Sequence, residues 1–144
     1  MKVLLDTSVL VAAMVEAHPA HVKSLAQLQR IKNGADAGLV SAHTIAELYA
    51  ILTTLPVKPR ISSVIAYELI QHNVRDLCEV MSLSVEDYSA VTKHLSEEGI
   101  IGGVTYDALI VYTAIKGQVD RVVTLNESDF RRIYPQIAGL IVSP

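Results

Sequence analysis

The stretch KVLLDTSVLVAAM, residues 2–14, joins two structural periods within thirteen residues. Its first half, KVLL, is an apolar run without alternation, the pattern of a strand buried on both faces. The predicted strand, 2–6, ends on Asp6. Thr7 or Ser8 can cap a helix behind it, with Val9, Leu10, Ala13 and Met14 as the apolar stripe. A buried strand feeding directly into a helix is the opening of a βαβ unit. It also sets a problem, because a carboxylate at the end of a buried strand is costly unless something pairs with it.

Working outward, the same alternation continues. A helix is predicted from Pro19 to Lys32, with Asn33-Gly34 as its stop. AGLVSA, 37–42, reads as a strand, and 43–55 as a helix with Ile45, Leu48, Tyr49, Leu52 and Leu55 inward and Glu47 off that stripe. PVKPR, 56–60, is a loop, and residues 62–75 are helical. LCEVMSL, 77–83, is a strand. Ser84 and Asp87 form a capping box for a helix to Gly99, with Tyr88, Val91 and Leu95 inward. GIIGG, 99–103, is a turn before an apolar helix, 105–117, that holds Asp107 in its first turn and ends on Gly117. RVVTL, 121–125, and LIV, 140–142, close the series as strands. The prediction is one domain over 1–144, a three-layer α/β/α sandwich around a parallel sheet.

Composition agrees with that reading. Of 144 residues, 51% are hydrophobic, yet there is one Phe and no Trp, so the core is aliphatic. No stretch has the roughly 18–20 unbroken apolar residues of a membrane span, and Asp6 interrupts what would be a signal peptide. The lone Cys78 excludes an internal disulfide and fits a reducing cytoplasm. A net charge of −3 makes a poor generic nucleic-acid binder, though the total does not locate the charges.

In a parallel sheet, ligands bind beyond the carboxyl ends of the strands. Asp6, Glu47 and Asp129 each follow a strand, and Asp107 opens a helix that can point at the same edge. Two like charges about 4 Å apart repel by roughly 4 kcal/mol at an effective dielectric near 20. No Lys or Arg lies within three residues of Asp6, Glu47 or Asp107. An all-oxygen set without His or Cys suits Mg²⁺, with Mn²⁺ as a substitute, held for use on a phosphate. Singly, each acid has a plainer reading: Asp6 as an N-cap, Glu47 as a solvated helix residue, Asp107 as a dipole partner, Asp129 as a turn residue. The five histidines share no metal-ligand spacing, Cys78 reads as core, and Tyr106 as partly buried.

At these residues the chain resembles the PIN-domain family, and within it the VapC-type ribonuclease toxins of toxin–antitoxin pairs. The matching pieces are LLDTSVLVA, HTIAEL, TYDALIVYTA and VVTLNESDF, in order across essentially the whole chain. The resemblance implies metal-dependent hydrolysis of RNA phosphodiesters, with Asp6, Glu47 and Asp107 as the principal acids. Many members carry Asp where this chain has Asn126, so the fourth position falls to Asn126 or Asp129. Asp6, Asp107, Glu47, Asn126 and Asp129 are thus the candidate metal-site residues. Asp6, Glu47, Asp107 and Asp129 are the candidate catalytic acids, and Thr7, Ser8 and Thr105 the candidate contacts to acids or phosphate. Expected partners are RNA, a small antitoxin, and a second copy of the chain, on an apolar face within 47–70. Lys58, Arg60, Arg131 and Arg132 are candidate phosphate contacts.

Other readings compete. Phosphoryl transfer through an aspartate needs a second Asp two residues after the first, where this chain has Ser8. A PIN nuclease of RNA processing, or a degenerate module that binds without cutting, shares the same motifs.

Overall fold

The computed structural model describes all residues, 1–144. Five strands form one all-parallel sheet in the order β3-β2-β1-β4-β5. They are β1 (Lys2–Leu5), β2 (Ala37–Ser41), β3 (Cys78–Met81), β4 (Arg121–Val123) and β5 (Ile141–Val142). Seven α-helices connect them: α1 (Thr7–Met14), α2 (His21–Lys32), α3 (Ala42–Thr54), α4 (Ser63–Ile70), α5 (Val85–Glu98), α6 (Val104–Lys116) and α7 (Glu127–Ile133).

Side-chain alternation along the strands divides the core in two. Val3 and Leu5 of β1, Val40 of β2 and Val123 of β4 face one layer, where they meet Val9, Leu10, Leu28, Leu48, Leu52 and Ile70. Leu4, Leu39 and Val122 face the other, against Val91, Leu95, Leu109, Ile110, Phe130 and Ile133. Helices α1–α4 therefore cover one face and α5–α7 the other, as the three-layer prediction requires. Each fully buried large aliphatic contributes about 1.5–3 kcal/mol to holding a helix on the sheet.

The chain runs outward from β1 through β2 to β3, then returns over the other face to place β4 on the opposite side of β1. The order thus reverses between β1 and β4, and the carboxyl ends of those strands flank the crevice where such sheets bind ligands. No helix is long and apolar enough to cross a membrane.

Several local expectations are corrected. β1 stops at Leu5, and Asp6 itself caps α1; Thr7 is already helical. α2 begins at His21, with Pro19 in the preceding turn. The 62–75 helix widens after Ile70 into a π-helical turn over Gln71–Arg75. β4 ends at Val123, so Thr124 and Leu125 belong to the loop. Tyr49 and Tyr88, assigned inward by periodicity, are exposed, because the helices bury narrower stripes through Leu48 and Leu52 and through Val91 and Leu95. Gly117 ends α6 with φ −77°, in the right-handed region. It is required for space instead: a Cβ there would run into Leu39. The Ser84–Asp87 capping box is as predicted, and the helix ends at Gly99 as predicted, in a left-handed conformation.

Candidate active site at the carboxyl edge

Asp6 sits where β1 turns into α1. Its backbone N–H donates to Val123 O of β4 (3.0 Å), which fixes it at the crevice. Asp6 is 4% exposed, but its carboxylate is well supplied with donors. Oδ1 accepts from Thr7 N (2.7 Å), and Oδ2 from Ser8 Oγ (2.6 Å) and Thr124 Oγ1 (2.8 Å). Burial raises its pKa above the ordinary carboxylate value, while these hydrogen bonds pull it back.

Both hydroxyls do a second job. Ser8 Oγ accepts from Leu125 N (3.1 Å) and Thr124 Oγ1 from Asn126 N (3.0 Å). The loop leaving β4 is thereby tied to Asp6, and Asn126 is delivered to the site. Thr7 turns the other way. Its Oγ1 lies 3.0 Å from both Thr44 Oγ1 and Glu47 Oε1, so α1 holds the Glu47 carboxylate of α3. One hydroxyl can accept from Thr44 while donating to the carboxylate.

Asp107, in the first turn of α6, is half-buried. Its pKa is raised to about 6, chiefly by burial and then by the charges of Asp6 and Glu47; Asn126 lowers it and Asp129 raises it. The charges of Asp6, Glu47 and Asp129, from three other chain segments, all act on Asp107. Asn126 Nδ2 bridges two of them, donating to Asp107 Oδ2 (3.0 Å) and Asp129 Oδ2 (3.1 Å). Asn126 thus presents nitrogen rather than oxygen to the acids. Among Lys and Arg side chains, only Arg132 pairs with any of the four, reaching Asp129 Oδ1 at 3.3 Å.

As the side chains stand, no three His, Cys, Asp or Glu groups converge tightly enough to enclose an ion. The donor set nonetheless fits one class of cation. The four carboxylates offer only oxygen, and Arg132 is the only Lys or Arg paired with them. Mg²⁺ keeps several waters and takes one or two carboxylates, so it needs no tight cage.

Of the predicted site residues, Asp6, Thr7, Ser8, Glu47, Asp107, Asn126 and Asp129 gather here. Thr105 does not join the network: its hydroxyl donates to Gly102 O at 2.7 Å. Arg131 is engaged in the fold, with Glu127 at 2.7 Å and Ile141 O at 2.8 Å. Tyr106, assigned partly to the core, is 54% exposed and stacks on His43. Sequence reading missed Thr44 and Thr124. For Thr124 a signal existed, a polar residue interrupting an apolar strand just before Asn126.

Comparison with known proteins places the chain in a family. The PIN domain family model matches residues 3–135. Ribonuclease VapC40 of Mycobacterium tuberculosis is 34% identical over 109 residues, spanning 76% of this chain and 75% of that protein. Among solved structures, Rickettsia felis VapBC2 bound to a promoter DNA fragment superposes with TM-score 0.67 at 21% identity, covering 100% of this chain and 99% of the other. FitAcB of Neisseria gonorrhoeae gives 0.67 at 18% identity, over 99% and 96% of the two chains. Mycobacterium tuberculosis VapC20, described as a toxin that cleaves the sarcin–ricin loop, gives 0.64 at 14% identity over 83% and 86%. The structures establish a common fold, and the family model and the curated relative extend the likeness to sequence: this chain is a VapC-type member of the PIN-domain family.

Proposed function

We propose that the chain is a divalent-metal-dependent endoribonuclease, the toxin of a toxin–antitoxin pair, acting as one PIN domain in the cytoplasm. The observation that carries this reading is the crowding of Asp6, Glu47, Asp107 and Asp129 at the strand-order switch with little positive charge to balance them. Perturbed carboxylates in a crevice mark chemistry more often than folding. The VapC40 relative, a ribonuclease by name, supplies the substrate class.

Asp6 and Asp107 are the residues that hold the ion, with Mg²⁺ preferred and Mn²⁺ able to replace it. When bound, a divalent cation neutralises phosphate charge and makes a water acidic enough to act as nucleophile near neutral pH. Ser8 and Thr124 fix the orientation of Asp6. Thr7 holds Glu47, which orients the attacking water and takes its proton. Asn126 links Asp107 to Asp129 by donating to both, which offsets their repulsion. Its neutral amide lowers the local negative charge relative to an aspartate, which favours one tightly held ion over two.

The partners follow the same line. VapBC2 and FitAcB are similar in fold to this chain, and the exposed Tyr49, Val64, Ile65 and Tyr67 of α3 and α4 offer an apolar face for an antitoxin segment or a second copy. The reading is tested by mapping RNA 5′ ends after induction of wild type and Asp6→Asn. New ends at defined sites in the wild type alone support it; identical maps refute it.

A further inference from the structure

We propose that Tyr106 and His43 form a stacking platform for one nucleobase of single-stranded RNA, beside the phosphate addressed by the acids. The proposal rests on the ribonuclease reading and specifies how its substrate is gripped. The two rings lie nearly parallel, 6° apart, with centroids 5.3 Å from each other, an offset stack. Tyr106 remains 54% exposed, so its ring is available to a further stacked partner.

The surrounding groove is lined by His43, Ala46, Glu47, Ala50 and Tyr106. Ala46 and Ala50 are one helical turn apart on α3, and their short side chains leave the space beside the rings open. The lining holds no Lys or Arg, and its one acid repels phosphate. A neutral, flat, aromatic ligand suits such a groove, whereas a phosphate does not. His43 Nε2 makes no hydrogen bond and lies 3.6 Å from Glu47 Oε1, so the ring is held between that carboxylate and the stack on Tyr106.

Position links the platform to the site. Tyr106 immediately precedes Asp107 on α6, and His43 lies one turn before Glu47 on α3. A base resting there belongs to a nucleotide flanking the scissile phosphate. Bases within a duplex are already stacked on their neighbours, so the platform selects loops and single strands. Sequence tolerance is expected, since every base has a π-face.

The test uses a ten-nucleotide RNA spanning a mapped cut, and versions made abasic at each position beside it. Tyr106→Ala should raise KM on the intact RNA about tenfold, the usual scale for one lost base stack, with kcat little changed. Tyr106→Phe should stay within about twofold of wild type. Tyr106→Leu, which keeps bulk without a π-face, should behave like Tyr106→Ala, and matching melting temperatures exclude misfolding. On the RNA lacking the platform base, wild type should lose a similar factor and Tyr106→Ala should add nothing to it. Intact RNA cut equally by wild type and Tyr106→Ala, full rescue by Tyr106→Leu, or an equal added loss on every abasic RNA each overturns the platform. Failure of the ribonuclease reading looks different: wild type and Asp6→Asn then leave the RNA equally uncut, and the platform falls with it.

Discussion

The two edges of the sheet treat their acids in opposite ways. At the amino edge, Asp36 just before β2 accepts from Arg30 Nε at 2.6 Å and lies 3.3 Å from the chain's N-terminal amine. Hydrogen bonding to Arg30 holds its pKa below the ordinary value. Asp120, just before β4, accepts from Lys2 N at 2.7 Å. At the carboxyl edge, Asp6 and Asp107 are both raised, and Asp107 faces other acids instead of cations. The amino edge shows that this fold can balance a carboxylate when structure is all that is asked. The deficit at the carboxyl edge is therefore a property of the site, held in place by packing and hydroxyls at some cost in stability.

The largest break in that contrast comes from removing the charge at the carboxyl edge. Asp6→Asn and Asp107→Asn should each lower RNA cleavage at least about a hundredfold, a loss of roughly 2.7 kcal/mol of transition-state stabilisation, while far-UV circular dichroism is unchanged. Unfolding of both variants would assign the acids a structural role. Removing divalent ions from wild type should abolish cleavage to the same extent, and Mg²⁺ or Mn²⁺ should restore it.

Next in size is the loss of the hydroxyls that hold Asp6. Thr124→Val leaves a buried carboxylate short of a donor, which costs about 1.5–3 kcal/mol of folding stability in denaturant titration. Ser8→Ala should act similarly and loosen the loop at Leu125 as well.

The pH response sharpens the comparison, because the two edges have opposite signs. Asp107 has a folded pKa of about 6 against an ordinary 3.8, so the folded state binds more protons between those values. Stability should then fall as pH rises from about 4 to 6. Because the group is half exposed, the effect is discounted to about 1–2 kcal/mol. In metal-free protein, Asp107→Asn should remove the Asp107 share of that decline and raise the melting temperature at pH 7.5. Wild type should recover its loss on adding Mg²⁺, which binds the folded state.

Asp36 is the smallest effect. Its lowered pKa contributes stability above the ordinary carboxylate range that is lost as pH falls through the folded value. Asp36→Asn should cost under about 1 kcal/mol and leave the Mg²⁺ response intact. A Mg²⁺ response lost in Asp36→Asn and kept in Asp107→Asn would reverse the assignment of the two edges.

The alternation of strands and helices was legible from KVLL, AGLV, CEVM and RVV, because apolar period and capping signals are local. So were the acids as candidates, through their places after strands. The misplaced tyrosines share a cause. Tyr49, Tyr88 and Tyr106 satisfy a helical period, yet each extends beyond the stripe that its helix buries, and a period fixes direction without fixing how wide the contact is.

From the chain alone came the layer order, the aliphatic core and the set of acids bound for one edge, since these follow from neighbours a few residues apart. Tertiary structure decided who touches whom. Asp6 and Thr124 are 118 residues apart and bond because β1 and β4 pair with Leu5 beside Val123. Asn126 bridges Asp107 and Asp129 only after that register has placed α6 and α7 against the same crevice. Hydrogen bonds are short and directional, so strand register and helix rotation settle them, and neither quantity is carried by local pattern.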